Sequence, residues 1–197
     1  MENTNDIFKQ CVIMNDNYQM TELLRAGLDP NYEGGWMLRL AARHGSYAVV
    51  KTLLQHGANP HLLGELGASA LQLAVFSDLH WKTDKWSFLL SCYNSSQLAD
   101  GAAVAIVFRN IPALNKIIQT GRCNAHIPTT LTGMSVLNIT LVYSFLFKSV
   151  NANISNYTII LYQRARPFVS NQQLNNPLQS HFRCGIHIFC EGAVISA

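Results

Sequence analysis

The chain has 197 residues, 49% of them apolar and 13% charged, with five cysteines. An ordinary soluble domain carries about 25% charged residues, so this chain is too apolar to be disordered and is long enough to bury a core. It is too large and too Cys-poor for a disulfide scaffold, and with neither a Gly-X-Y repeat nor a sustained heptad it is not collagen or a coiled coil. Charge is unevenly spread: residues 1–100 hold seven Lys/Arg against ten Asp/Glu, and residues 101–197 hold seven against the single acid Glu191. The basic residues of the second half are scattered and form no run.

The opening decapeptide, MENTNDIFKQ, is polar and acidic, which does not fit a signal peptide. Cys11, Cys92, Cys123, Cys184 and Cys190 are odd in number and irregularly spaced. Together these features predict a reduced, cytoplasmic setting.

The first predicted helix pair spans about 3–31. Its Cys11, Val12, Asn15, Met20, Leu23 and Leu24 align at an offset of 30 with Ala41, Ala42, Gly45, Val50, Leu53 and Leu54 of a second pair, about 34–63. Both pairs close alike: Thr21–Asn31 reads TELLRAGLDPN and Lys51–His61 reads KTLLQHGANPH. In each, the helix ends at a Gly that can adopt φ > 0, and a Pro stops it from restarting. A third pair, about 66–96, begins 33 residues on, where Gly67-Ala68-Ser69-Ala70-Leu71-Gln72-Leu73-Ala74 repeats Gly34-Gly35-Trp36-Met37-Leu38-Arg39-Leu40-Ala41. It carries roughly three extra residues near Asp78–Lys82, before Phe88-Leu89-Leu90.

A fourth pair, about 100–126, has helical stretches Ala103–Val107 and Ala113–Gln119 and closes on NKIIQTGRCN with Gly121 in the cap position. The fifth, about 131–166, opens on Gly133-Met134-Ser135-Val136-Leu137-Asn138, 66 residues after Gly67. A polar insertion near Lys148–Asn156 precedes an outer helix, Thr158–Arg166, which Pro167 terminates. Residues 168–197 leave the repeat phase: NQQLNN (171–176) is a polar linker, and the tail after it is either a strand-like extension or a frayed end.

A unit of turn, helix, short loop, helix and Gly cap cannot bury its own apolar face, so neighbours must stack. Residues 34–61, GGWMLRLAARHGSYAVVKTLLQHGANPH, resemble one nearly complete ankyrin repeat. The chain is thereby identified as a divergent ankyrin repeat protein of about five units over residues 3–167. The family signature Thr-Pro-Leu-His reads here Trp36-Met37-Leu38-Arg39, Ser69-Ala70-Leu71-Gln72 and Ser135-Val136-Leu137-Asn138. The Leu survives in all three, the hydroxyl in two and the His in none. That divergence predicts an array of low stability with irregular middle loops.

The resemblance implies an all-α solenoid of stacked helix-turn-helix units with short fingers. It also implies a non-catalytic module that binds another protein through a concave face, as adaptor or inhibitor. The matching positions are Tyr32, Glu33, Trp36, Arg39, Arg43 and His44 in the second unit. In the third they are Glu65, Ala68, Gln72 and Phe76, and in the fifth Met134, Asn138 and Tyr143. Trp81 and Trp86 flank a charged insert and read as exposed aromatics beside these. For each of Trp36, Trp81 and Trp86 two roles stay open, hot-spot contact or packing beneath its own loop.

No phosphate-binding, zinc-protease, nucleophile-elbow or dinucleotide motif occurs, so neither an enzyme nor a cofactor is expected. His181, Cys184, His187 and Cys190 are weak zinc candidates, because four ligands at constant three-residue spacing would have to wrap tightly around one ion. Leu131–Phe147 has 17 uncharged residues, but its Thr, Ser, Asn and Gly content and its repeat phase argue against a membrane span. The alternative function rests on the basic half: Arg109, Lys116, Arg122, Lys148, Arg164, Arg166 and Arg183 would dock a nucleic acid or an anionic membrane. They lack the clustering that phosphate tracking requires. A monomer is expected, and the Asn-rich, divergent array suits a microbial or viral protein directed at host factors.

Overall fold

The computed structural model describes residues 4–130 and 132–140. Eight helices occur among them: α1 (Thr4–Met14), α2 (Asn17–Arg25), α3 (Tyr32–Arg43), α4 (Tyr47–Gln55), α5 (Ala70–Ser77), α6 (Ser87–Ser91), α7 (Ser95–Val107) and α8 (Ile111–Gln119). Residues 136–140 are helical as well, and the described residues contain no strand beyond one isolated bridge, Pro128 to Ser135. The fold class is all-α, built from helix pairs of the ankyrin type. The described residues fall into two compact modules, 4–93 and 94–140.

In the first module α3 packs against α1 on one side and α5 on the other, while α4 packs against α2 and α6. This makes an inner layer α1-α3-α5 and an outer layer α2-α4-α6. The small residues Ala41 and Ala42 are fully buried, as close helix approach requires. Leu38 and Leu71, equivalent in the repeat, are both buried, and so is Leu137 in the second module.

The backbone repeats more faithfully than the side chains. Each break between inner and outer helix is a left-handed residue: Asn15 (φ 51°), Gly45 (φ 73°), Asp78 (φ 57°) and Arg109 (φ 56°). Glycine takes this conformation freely and Asn and Asp take it more readily than other L residues, for which it costs roughly 1–2 kcal/mol. Arg109 is therefore the most strained of the four breaks.

Polar side chains lock the successive loops. Asp29 Oδ1 accepts the N–H of Asn31, and Asn59 Oδ1 that of His61. Asn124 Oδ1 accepts the N–H of His126 in the second module. These are the same Asx turn three times over. In the third copy the Asn sits three residues past Gly121, whereas Asp29 and Asn59 sit two past Gly27 and Gly57, so this loop is one residue longer. Asn31 also reaches forward, donating to the Gly57 carbonyl (3.0 Å) and accepting from Asn59 N–H (2.7 Å).

Two readings are revised by the structure, the open one of Trp81 and Trp86 and the start of the fourth unit. Trp81 and Trp86 are each only 1% exposed. They stack at 5.7 Å, and their indole N–H groups donate to the carbonyls of Ala74 and Leu79. The reason is the short α6, whose five residues supply little apolar surface, so the preceding loop turns both rings inward. The second correction concerns the fourth unit. Its first helix begins at Ser95, well before residue 100, because Asn94 and Gln97 form a reciprocal capping box.

In the second module α7 packs on α8, with Asn110 capping α8 by accepting Ala113 N–H. The finger 128–135 is held by Thr129, whose hydroxyl donates to the Met134 carbonyl, and by Asp100, which accepts the Thr130 N–H at 2.7 Å. Ser69 and Ser135 both accept the N–H three residues on, so the two surviving hydroxyls of the signature are helix caps. The polar insertion at 148–156, the helix at 158–166 and the tail lie outside the described residues.

Candidate partner-binding face

The face is built on the turn that enters α3. Glu33, Gly34 and Gly35 all have positive φ (48°, 68° and 72°), so the chain doubles back before Trp36 starts the regular helix. Gly35 is buried, and a Cβ there would lie 2.9 Å from a methyl carbon of Leu62. The first finger thus fits tightly against the second. Tyr32 and Glu33 are left exposed at its tip, where the Glu33 carboxylate accepts the Tyr32 phenol and pushes its pKa up.

Arg39 ties the two fingers together. One of its terminal nitrogens donates to the carbonyls of Gly34 (2.7 Å) and Leu62 (3.5 Å). The guanidinium occupies the position of the family's signature His and joins neighbouring turns. It forms no ion pair with any described residue, and burial lowers its pKa from the ordinary arginine value. One turn further along α3, the Arg43 guanidinium lies 4.5 Å over the Phe76 ring, and burial shifts it in the same direction. His44 follows as the exposed C-cap.

Trp36 is half-buried. Its ring meets Phe8 edge-on at 6.4 Å, and its indole N–H is shut in with no acceptor among the described residues. This packing gives it the character of a plug between α1 and α3. Glu65 is exposed on the second finger, and Ala68 is half-buried at its base, where its carbonyl accepts the Gly64 N–H. Phe76 is half-buried beneath Arg43.

Gln72 and Met134 do not sit at a surface. Gln72 is 4% exposed, and its side-chain oxygen accepts the Ser69 N–H to complete the α5 capping box. Met134 is buried in the finger of the second module. Both were placed by register alone, and a cap and a finger interior claim them first. Asn138 is half-buried in that module, and Tyr143 lies outside the described residues.

Sequence reasoning missed Leu63 and Leu66, which are 57% and 48% exposed on the second finger. The signal was available: residues 61–68 fall between helices in the repeat, where a leucine has no core slot. It also missed Tyr93, whose buried phenol accepts the Leu71 N–H and donates to the Pro60 carbonyl, pinning the finger to α5.

The other candidates are placed as follows. Arg109 and Arg122 are exposed, and Lys116 is half-buried; the remaining basic positions lie outside the described residues. No helix among the described residues is long and apolar enough to cross a membrane, and residues 141–147 of the apolar stretch lie beyond them. His181, Cys184, His187 and Cys190 also lie outside them. Cys11 is a buried core thiol, and burial pushes the Cys123 thiol up to about 12.

A family model for the ankyrin repeat matches residues 37–65, which covers α3 from Met37 onward, α4 and the start of the second finger. No curated protein matches the chain. Ankyrin repeats generally mediate protein–protein interaction, so the matched stretch is similar to a binding element, and it carries Arg39, Arg43 and Leu63.

Proposed function

We propose that the module 4–93 is a non-catalytic docking element that holds a partner protein across its first two fingers and the inner-helix face beside them. The contacts would be Tyr32, Glu33, Arg39, Arg43, His44 and Glu65, with Leu63 and Leu66 as the apolar part. The observation that carries this reading is the exposure of Leu63 and Leu66 beside a half-buried guanidinium, in the stretch the ankyrin family matches. Exposed apolar area flanked by arginine is the composition of binding hot spots. Action would be by occlusion or by bridging.

A photo-crosslinking amino acid at Leu63 tests this, with the same group at the exposed outer-helix residue Gln55 as control. The expected result is a discrete adduct from Leu63 and none from Gln55. Equal labelling from both positions would dismiss the finger face. Loss of binding at moderate salt, with crosslinks confined to the second module, would instead support docking of an anionic surface by the basic half.

A further inference from the structure

We propose that the segment held across the first two fingers is a basic peptide with bulky apolar anchors, its apolar side chains on Leu63 and Leu66 and its Lys or Arg groups on Glu33 and Glu65. The inference deepens the docking reading and rests on it.

The apolar surface comes first. Leu63, Leu66 and Tyr32 are 57%, 48% and 44% exposed, and all three stand on the first two fingers. The local fold presents them. Gly67 N–H donates to the Gly64 carbonyl, so Glu65 and Leu66 are the two central residues of a closed turn. Gly64 N–H, bonded to the Ala68 carbonyl, ties the base of that loop. The first finger meets it: Gly35 lies against the Leu62 side chain, and one nitrogen of Arg39 donates to the carbonyls of both Gly34 and Leu62. Glu33 precedes Gly34 and Leu63 follows Leu62, so acid and leucine belong to one patch. Backbone hydrogen bonds hold the patch in shape without a partner, which lowers the ordering cost of binding.

Charge selects the occupant. Residues 26–35 contain Asp29 and Glu33 and no Lys or Arg, and residues 56–69 contain Glu65 and no Lys or Arg. All three acids are exposed, and none forms an ion pair with a described residue. Glu33 accepts the Tyr32 phenol, and its carboxylate has acceptor sites to spare. Arg39 is half-buried in the seam between the fingers, where the two carbonyls meet its terminal nitrogen. The tips beyond it therefore present carboxylate and leucine. A phosphate backbone or an anionic membrane would be repelled there, whereas Lys or Arg beside an apolar residue would be attracted. The apolar stems of Lys and Arg also pack along leucine while their charged ends reach a carboxylate.

The test is selection of a random dodecapeptide display library on the intact chain, followed by affinity measurement of the enriched peptides. The expected result is enrichment of Lys and Arg over the input, beside large apolar residues. Exposed ion pairs are individually weak, so Glu33→Gln and Glu65→Gln should each lower affinity about two- to fivefold, and high salt should erase that difference. Leu63→Ser should lower affinity about tenfold, the melting temperature staying unchanged in all three variants. A second selection on a chain carrying both Glu33→Lys and Glu65→Lys should enrich Asp and Glu instead. Peptides without basic residues that are lost on Leu63→Ser would overturn the basic assignment and leave the docking reading standing. Acid-rich peptides selected by the unaltered chain would overturn it in the same way. Peptides indifferent to all three positions, or no enrichment at all, would remove both.

Discussion

The side-chain oxygen of Asn15 accepts the backbone N–H of Ala48 at 3.1 Å, joining the break of the first helix pair to the start of α4, 33 residues on. Val49 N–H reaches the same oxygen at 3.4 Å. Ser46, the residue at the N-cap of α4, makes no side-chain cap of its own, because its hydroxyl donates back to the Val12 carbonyl. Two of the orphan donors of α4 are thus satisfied by the preceding repeat, while Tyr47 N–H reaches the Gly45 carbonyl. Asn15 does two things at once: it tolerates φ 51° and it caps its neighbour.

These roles separate by mutation. Asn15→Gly keeps the left-handed backbone and loses the cap, which should cost about 1 kcal/mol. Asn15→Ala loses both and should cost about 2–3 kcal/mol. Denaturant unfolding of the two variants checks the order. Equal stability would show that the backbone conformation carries no strain.

A second prediction concerns Gly45, where a Cβ would lie 2.6 Å from Leu79 Cδ1 and 2.7 Å from Leu79 Cβ. Its φ of 73° adds backbone strain to the clash. Gly45→Ala should destabilise by about 2 kcal/mol or more, and Leu79→Ala, harmless alone, should recover part of that loss. A double-mutant cycle with zero coupling would assign the whole cost to φ.

How far the sequence could be read follows from these residues. Gly27, Gly57 and Gly121 announce the helix ends, and Leu38, Leu71 and Leu137 announce the core, because both roles admit few residue types. The left-handed breaks at Asn15, Asp78 and Arg109 are hidden, since a non-glycine residue there is tolerated only through contacts made far along the chain. Trp81 and Trp86 stayed open between contact and packing for a related reason. A charged insert reads as exposed, and the short α6 that draws its rings inward is a tertiary fact. At the candidate face the register located Arg39 and Arg43 but could not tell that Gln72 would serve as a cap. Leu63 and Leu66 were overlooked because a repeat template marks finger positions only by their turn residues.

Asp100 supplies a pH prediction in the second module. Burial raises its pKa above the ordinary carboxylate value, against the hydrogen bonds from Thr130 that lower it. The folded chain therefore holds this proton at a pH where the unfolded chain has lost it. Its contribution to stability is fully present below the ordinary carboxylate value and is lost as pH rises through the raised one. Asp100→Asn keeps an oxygen for the Thr130 N–H. It should melt higher than the parent near neutral pH, and the gap should shrink as the pH falls into the carboxylate range. A gap that widens on acidification would show that the hydrogen bonds outweigh desolvation.

Trp36 gives the last test. Its ring stands edge-on to the buried Phe8, and its indole N–H is enclosed without an acceptor among the described residues. Removing a fully buried Trp costs 3–5 kcal/mol; for this half-buried ring about 2 kcal/mol is expected of Trp36→Ala. An enclosed donor without a partner costs about 1–3 kcal/mol, so Trp36→Phe, which keeps an aromatic ring against Phe8 and deletes the N–H, should be neutral or slightly stabilising. The pair of variants therefore separates ring from donor. If the ring is a plug, Trp36→Ala lowers the melting temperature while the folded fraction binds its partner as before. If Trp36 is instead a contact, affinity falls at an unchanged melting temperature. The edge-on packing against Phe8 favours the plug, because a ring held between α1 and α3 has only part of its surface left for a partner.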